Sequence, residues 1–200
     1  MFGLKFGEKE NTLFKVGECV IVRINARVPP ADRQEFYEHP LDELLAEQKL
    51  GSVTDGRTQL ADDPTGIKSC EVELSLHDTS DETLAIITKH LEKLGAPKGS
   101  KLIIESSGRE VSFGRQEGIA VYLNGDDLPE IVYQNCDFDI VVSVFNQMMG
   151  EKGTYRGYWQ GAGETSIYCY GNSFSDMKEA ILPFLESYPL CKQSRIEQIA

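Results

Sequence analysis

The sequence predicts an α+β protein, a tandem duplication of ferredoxin-like, βαβ-type sandwich units with helices on one face of antiparallel sheets. Three observations predict it. Residues 19–105 read as strand, helix, strand, helix, strand. The segment from Ser69 to Leu76 alternates with period two and keeps one polar face, the pattern of a half-solvated strand. The element order then recurs between residues 140 and 199. The units are drawn at residues 18–108 and 109–200, with 109–125 a β connector opening the second and 1–17 an N-terminal extension.

The first element, Cys19 to Val28, is rich in β-branched residues and ends at Pro29-Pro30. Leu41, Leu44 and Leu45 have helical spacing, and Gly51 marks that helix's end. Residues 52–60 are polar and read as a loop, followed by a turn at 62–66. In the strand 69–76, Cys70, Val72, Leu74 and Leu76 point one way, and Ser69, Glu71, Glu73 and Ser75 the other. Thr79-x-x-Glu82 has the form of a capping box ahead of a helix carrying Leu84, Ile87, Leu91 and Leu94. Gly95 and Pro97 stop that helix, and Lys101 to Glu105 forms a short strand.

Within the connector, Val111 to Phe113 and Gly118 to Leu123 are candidate strands, and Asn124-Gly125-Asp126-Asp127 is a turn. Ile140, Val141, Val144, Phe145 and Met148 then make a helical stripe ending at Gly150. Residues 153–161 answer the earlier loop, and Glu164 to Tyr170 answers the strand 69–76. Ser173-x-x-Asp176 opens a helix with Met177, Ala180, Ile181, Phe184 and Leu185 on its apolar face. Pro183 lies inside it, where a lost hydrogen bond predicts a kink or break. Arg195 to Ile199 closes the second unit. On this reading the helix-free sheet faces hold Glu71, Glu73, Tyr168 and Tyr170, and the units share one sheet or dock sheet to sheet.

A chain of 200 residues with 32 acidic and 20 basic side chains carries a net charge of -12. Such a surface repels phosphate backbones and attracts cationic partners, so no nucleic-acid partner is expected. No apolar run reaches the length of a membrane span and no signal-peptide core is present, which makes the cytoplasm the expected compartment. The five cysteines form no C-x-x-C pair, and buried free thiols explain them.

The search for chemistry returns no catalytic residue, metal site or cofactor. The glycines of 150–163 lack the spacing and lysine of a phosphate loop. His77 beside Asp78 reads as a turn pair more readily than as a base. Glu71 and Glu73, roughly 7 Å apart on one strand face by the two-residue repeat, could do acid/base work or simply be solvated. Tyr155, Tyr158, Trp159, Tyr168 and Tyr170 form an aromatic group of the kind that anchors interfaces. Trp159 fits equally a packed junction between the units.

Several motifs carry a resemblance: Pro40-Leu41-Asp42-Glu43-Leu44-Leu45, Gly51-x-Val53-Thr54-x-Gly56-x-Thr58-Gln59-Leu60, Leu94-Gly95-Ala96-Pro97-Lys98-Gly99-Ser100, Ala120-Val121-Tyr122-Leu123-Asn124-Gly125 and Tyr188-Pro189-Leu190-Cys191. Through them residues 40–200, about four-fifths of the chain, resemble a family of scattered, stand-alone bacterial proteins without an accepted enzyme activity. Asp55 and Arg57 stand where that family's loop has glycine. The profile is similar to that of immunity proteins, which bind and neutralise a cognate toxin. The resemblance implies a binding protein and supplies no catalytic residue.

These readings lead to an expected immunity-type protein that plugs the basic cleft of a toxin domain with an acidic, aromatic-bearing face. The expected contact residues are Glu71, Glu73, Arg156, Tyr158, Trp159, Glu164 and Tyr168. The alternative is a regulatory or small-molecule-binding module of the ACT-like kind, taking a metabolite between the halves.

Overall fold

Two antiparallel sheets, each backed by helices, make up the computed structural model, which describes residues 17–61 and 66–200. Residues 1–16 of the expected extension and 62–65 of the expected turn lie outside the described residues. The first sheet holds β1 (Glu18–Ile24), β2 (Gly51–Leu60), β3 (Ile67–Leu76), β4 (Ser100–Ile104) and β5 (Arg109–Phe113) in the order β2-β3-β1-β4-β5. The second holds β6 (Glu117–Asn124), β7 (Gly153–Gln160), β8 (Glu164–Gly171) and β9 (Arg195–Gln198) in the order β7-β8-β6-β9. Strand for strand, β7-β8-β6-β9 repeats β2-β3-β1-β4, so both units are ferredoxin-like and β5 is an added edge.

The helices complete the repeat. In the first unit α1 (Pro30–Arg33), a π-helical turn (Gln34–Glu38) and α2 (His39–Gln48) run on continuously, and α3 (Asp81–Lys93) follows β3. The widened turn sits just before Pro40, which has no N–H and whose ring would crowd the carbonyl of Phe36 in a regular helix. In the second unit a short α4 (Glu130–Asn135) precedes α5 (Phe138–Met149), and α6 (Phe174–Ser187) follows β8. Leu41, Leu45, Leu84, Ile87 and Leu91 are sealed against Val20, Val22, Val72 and Leu74. Val141, Phe145, Met177 and Ile181 do the same against Ile119, Val121 and Ile167. Each such side chain contributes roughly 1.5–3 kcal/mol on burial.

Several expectations are corrected. The polar segments at 52–60 and 153–161 are the strands β2 and β7, not loops. They lie at sheet edges, where no apolar alternation is required because backbone pairing with β3 and β8 supplies the order. Each bears a bulge in the same place, at Thr54 and at Arg156. The 109–125 connector is divided between the sheets: β5 pairs with β4, and β6 lies between β8 and β9 as the counterpart of β1. Helix α3 is capped by Ser80, whose hydroxyl accepts the Thr83 N–H, and not by a box at Thr79. Ser173 caps α6 as its spacing predicts, accepting from Asp176 N at 3.2 Å. Helix α6 runs through Pro183 without a break. Pro183 is on the exposed side, so water can satisfy the carbonyl it leaves unpaired. Among the described residues no helix is long and apolar enough to cross a membrane.

The docking of the units also departs from expectation. Ala120, Tyr122, Tyr168 and Tyr170, on the helix-free face of the second sheet, are buried in the same cluster as the first unit's core. They close over the segment from Arg27 to Tyr37. The Tyr170 hydroxyl accepts the Arg27 N–H at 2.7 Å, and the Arg27 guanidinium donates to the Tyr122 hydroxyl at 2.8 Å. Gly118 is the only residue size that fits beside Tyr170, since a Cβ there would stand 2.6 Å from the ring.

Candidate functional site

The residues expected to meet a partner do not share a surface. Tyr168 is fully buried, with the Arg27 guanidinium 5.8 Å above its ring, and has no area to offer. Period two puts its side chain on the helix-free face as predicted, but the first unit covers that face. Arg156 projects from the β7 bulge into the junction, where it donates to the Leu94 carbonyl at 3.1 Å and stacks 4.5 Å from the Phe36 ring. Trp159, partly buried, packs on Gly66 and against the buried cluster at the junction of the units.

Glu71 and Glu73 do lie on the outer face of the first sheet, but neither is a free carboxylate. Arg23 donates to Glu71 at 2.7 Å, and Arg57 to Glu73 at 3.2 Å. Arg57 also meets Asp55 at 3.3 Å, and Lys101 meets Glu110 at 2.7 Å. The face is a lattice of ion pairs with its charges largely compensated, and Glu71 is only 8% exposed. Plugging a basic cleft with these acids would require breaking pairs already made. Glu164 forms a two-pronged bridge to Arg195 at 2.8 and 3.1 Å on the second sheet.

The Arg195 bridge holds the Glu164 carboxyl below the ordinary 4.5 of a glutamate. Hydrogen bonds from Lys98 and the Phe174 N–H hold Glu117 low in the same way. A depressed carboxylate stabilises the fold above its unfolded pKa, and the contribution fades as pH falls through the folded value. The melting temperature is therefore expected to drop on acidification below pH about 4.5. Glu164→Gln should have a lower melting temperature at neutral pH and a shallower fall, as scanning calorimetry across pH 3–7 would show (about one pH unit per step suffices).

The other sequence candidates are structural. His77 Nδ1 lies 3.0 Å from the Lys49 carbonyl, tying the end of β3 to the end of α2. Burial pushes the thiols of Cys70, Cys169 and Cys191 up to about 12, where thiolate chemistry is suppressed. No group of three or more His, Cys, Asp or Glu among the described residues is arranged to hold a metal ion.

Tyr158 belongs to something the sequence did not reveal. Strands β6, β8 and β7 bring Leu123, Thr165 and Gln160 into a row at one end of the second sheet, on its helix-facing side. The helical layer leaves this end uncovered, because α5 begins only at Phe138. The result is a cleft of about 340 Å3 lined by Leu123, Asn124, Gly125, Tyr133, Phe138, Tyr158, Gln160, Thr165 and Leu190. The Phe138 and Tyr158 rings lie 5.0 Å apart and tilted by 54°. Tyr158 is 46% exposed. The Tyr133 hydroxyl accepts from Leu128 N at 3.0 Å and donates to the Asn124 carbonyl at 3.3 Å, fixing the lip. Asn124 Oδ1 accepts the N–H groups of Asp126 and Asp127, which makes the tight turn beside it.

One signal for this region was in the sequence. Residues 116–151 contain Glu117, Asp126, Asp127, Glu130, Asp137, Asp139 and Glu151 but no lysine, arginine or histidine. That run supplies Leu123, Asn124, Gly125, Tyr133 and Phe138 of the lining.

The sequence matches no family model and no curated protein. Among solved structures it is similar to a candidate glycine cleavage system transcriptional repressor, at 11% identity over 92% of this chain and 97% of that one, with a TM-score of 0.33. It is also similar to the first two RRM domains of a yeast poly(U) binding protein, at 12% identity over 91% and 99%, with a TM-score of 0.26. A third is a candidate monooxygenase from Fusobacterium nucleatum, at 9% identity over 93% and 92%, with a TM-score of 0.31. At these scores none of them bears on what this chain does.

Proposed function

We propose that this protein is a small-molecule-binding module, regulatory in the ACT-like manner, whose ligand enters the cleft at the end of the second sheet. One observation supports this reading above the others: three aromatic rings and three neutral hydrogen-bonding side chains, Asn124, Gln160 and Thr165, converge on one concave site. Ligand sites are built this way, with apolar walls and a few polar groups that set orientation. The proposed site lies within the second unit, while at the junction of the halves Trp159, Arg156 and Gly157 pack against the first unit.

A thermal-shift screen of cationic, neutral and anionic metabolites tests the reading. A ligand of the native state at one hundred times its Kd stabilises by about 2.7 kcal/mol, enough to move the melting temperature by several degrees. The hit is expected to lose its effect in Tyr158→Ala, while that variant's own melting temperature stays close to wild type. A screen without hits, or hits indifferent to Tyr158→Ala and Gln160→Ala, counts against the cleft.

A second reading keeps the immunity-type role, with a basic toxin domain as partner. It draws on the exposed Ile131 and Ile140, which are adjacent in sequence to Glu130 and Asp139. Capture of a basic toxin domain by the wild type, abolished by Ile140→Asp, would favour it.

A further inference from the structure

The surroundings of the cleft narrow its ligand further. The faces of Tyr133, Phe138 and Tyr158 are electron-rich, and such faces attract an ammonium group within about 6 Å of the ring centroid. Among the described residues no charged side chain lines the cleft, so they offer no direct counter-ion for an anion and no carboxylate to ligate a bare metal ion. The acids nearest in sequence to the lining are Asp126 and Asp127 beside Gly125, and Asp137 and Asp139 on either side of Phe138. None of the four enters a salt bridge among the described residues.

Of the cations in the flanking segments, Arg195 is paired with Glu164 and Glu197, while Lys192 donates to the neutral Glu186 carbonyl and keeps its charge. The four exposed aspartates beside the lining outnumber it and bias the rim of the cleft negative. The Tyr155 phenol, three residues from Tyr158, is pushed up to about 12, first by burial and then by charges that include Asp32 and Asp139. The N-terminal turn of α5, a source of opposite field beside the cleft, is capped by Asp137, whose Oδ1 accepts the Asp139 N–H at 2.8 Å.

Resting on the small-molecule reading above, we infer that the cleft binds an organic cation, an alkylated ammonium or protonated amine carried on an apolar body. The rings take the cationic head, and Leu123 and Leu190 take the body. Gln160, Thr165 and Asn124 discriminate among substituents. A site of about 340 Å3 lies at the small end of ligand pockets and suits a compact molecule.

Three probes of one body and different charge test this: benzyltrimethylammonium, benzyl alcohol and benzoate, each titrated into the full chain and followed by the amide resonances of Gly125, Gln160 and Thr165. Benzyltrimethylammonium is expected to bind about tenfold more tightly than benzyl alcohol, the range that cation–π contacts supply, and benzoate more weakly than either. Tyr158→Ala should remove that preference. Asp137→Asn combined with Asp139→Asn should weaken the cation several-fold and leave benzyl alcohol unchanged. Added salt should act in the same direction.

Equal binding of the cation and the alcohol overturns the inference, as does cation binding that neither Tyr158→Ala nor the aspartate pair alters. Tyr158-dependent binding of the alcohol or benzoate in preference to the cation also overturns it, while leaving the small-molecule reading intact. No shift with any probe overturns the cation inference as well. The wider reading then stands or falls on the metabolite screen, which spans every charge class.

Discussion

Tyr168→Ala is expected to lower the free energy of unfolding by about 3–5 kcal/mol, the range for deleting a large ring from a core. Tyr168 sits on β8 between Ala120 of β6 and the Gly157 position of β7. Its side chain is fully buried where the two units meet. Removing it takes away apolar area and leaves a hole that neighbours from two separate sheets would have to close together. Tyr158→Ala, ten residues earlier on β7 and half exposed, should cost about 1 kcal/mol or less. Urea unfolding of the two variants, with the slope checked for a change in the denatured state, separates them. Equal, small losses would mean that Tyr168 is on the surface, as the alternation alone suggested.

The second large effect is expected at Arg33. This residue is 5% exposed, and its guanidinium pairs with Glu38 and donates to Thr58 Oγ1 at 2.8 Å. The Glu38 side chain is itself only 14% exposed. Arg33→Met keeps the volume but leaves a carboxylate without its partner, and such a loss costs about 3–5 kcal/mol. Glu38→Gln in the same chain removes the stranded charge, so the double variant should recover most of the stability. Chemical denaturation of both singles and the double gives the coupling directly. Additive losses would show that the pair does not act as a unit. Gly56 belongs to the same arrangement, because a Cβ there would strike the Glu38 carboxylate.

Much of the architecture was legible because it rests on local signals. The alternation of Cys70, Val72, Leu74 and Leu76 names the buried face of β3, and all four are sealed. The Ser173-x-x-Asp176 spacing names a helix start. The duplication was legible from element order, although β2 and β7 read as loops. Edge strands of this kind carry Gly, Asp, Thr and Arg because one side of their backbone is unpaired and no face need be uniformly apolar, so composition does not betray them. What lay beyond reach was the docking of one unit on the other. Alternation says that Tyr168 and Tyr170 face away from α5 and α6, but it does not say that Arg27 and Tyr37 lie there to meet them. The charge count had the same limit: Glu71 and Glu73 are acidic in sequence, and only strand register reveals Arg23 opposite the first and Arg57 diagonal to the second. The cleft was missed because its lining comes from three strands, two α-helices, the turn at Gly125 and the 3-10 turn Pro189–Cys191, a convergence that no single window displays.

The bulges at Thr54 and Arg156 have a consequence for the protein in concentrated solution. Strands β2 and β7 are the outermost strands at one side of each sheet, and an outermost strand is a template onto which another chain can zip. Each bulge breaks the row of evenly spaced amides and carbonyls part-way along. At the opposite sides, β5 offers five residues and β9 four. Among the described residues, then, none of the four sheet borders offers a long, straight ribbon, and it is geometry rather than charge that discourages fibrous self-association there.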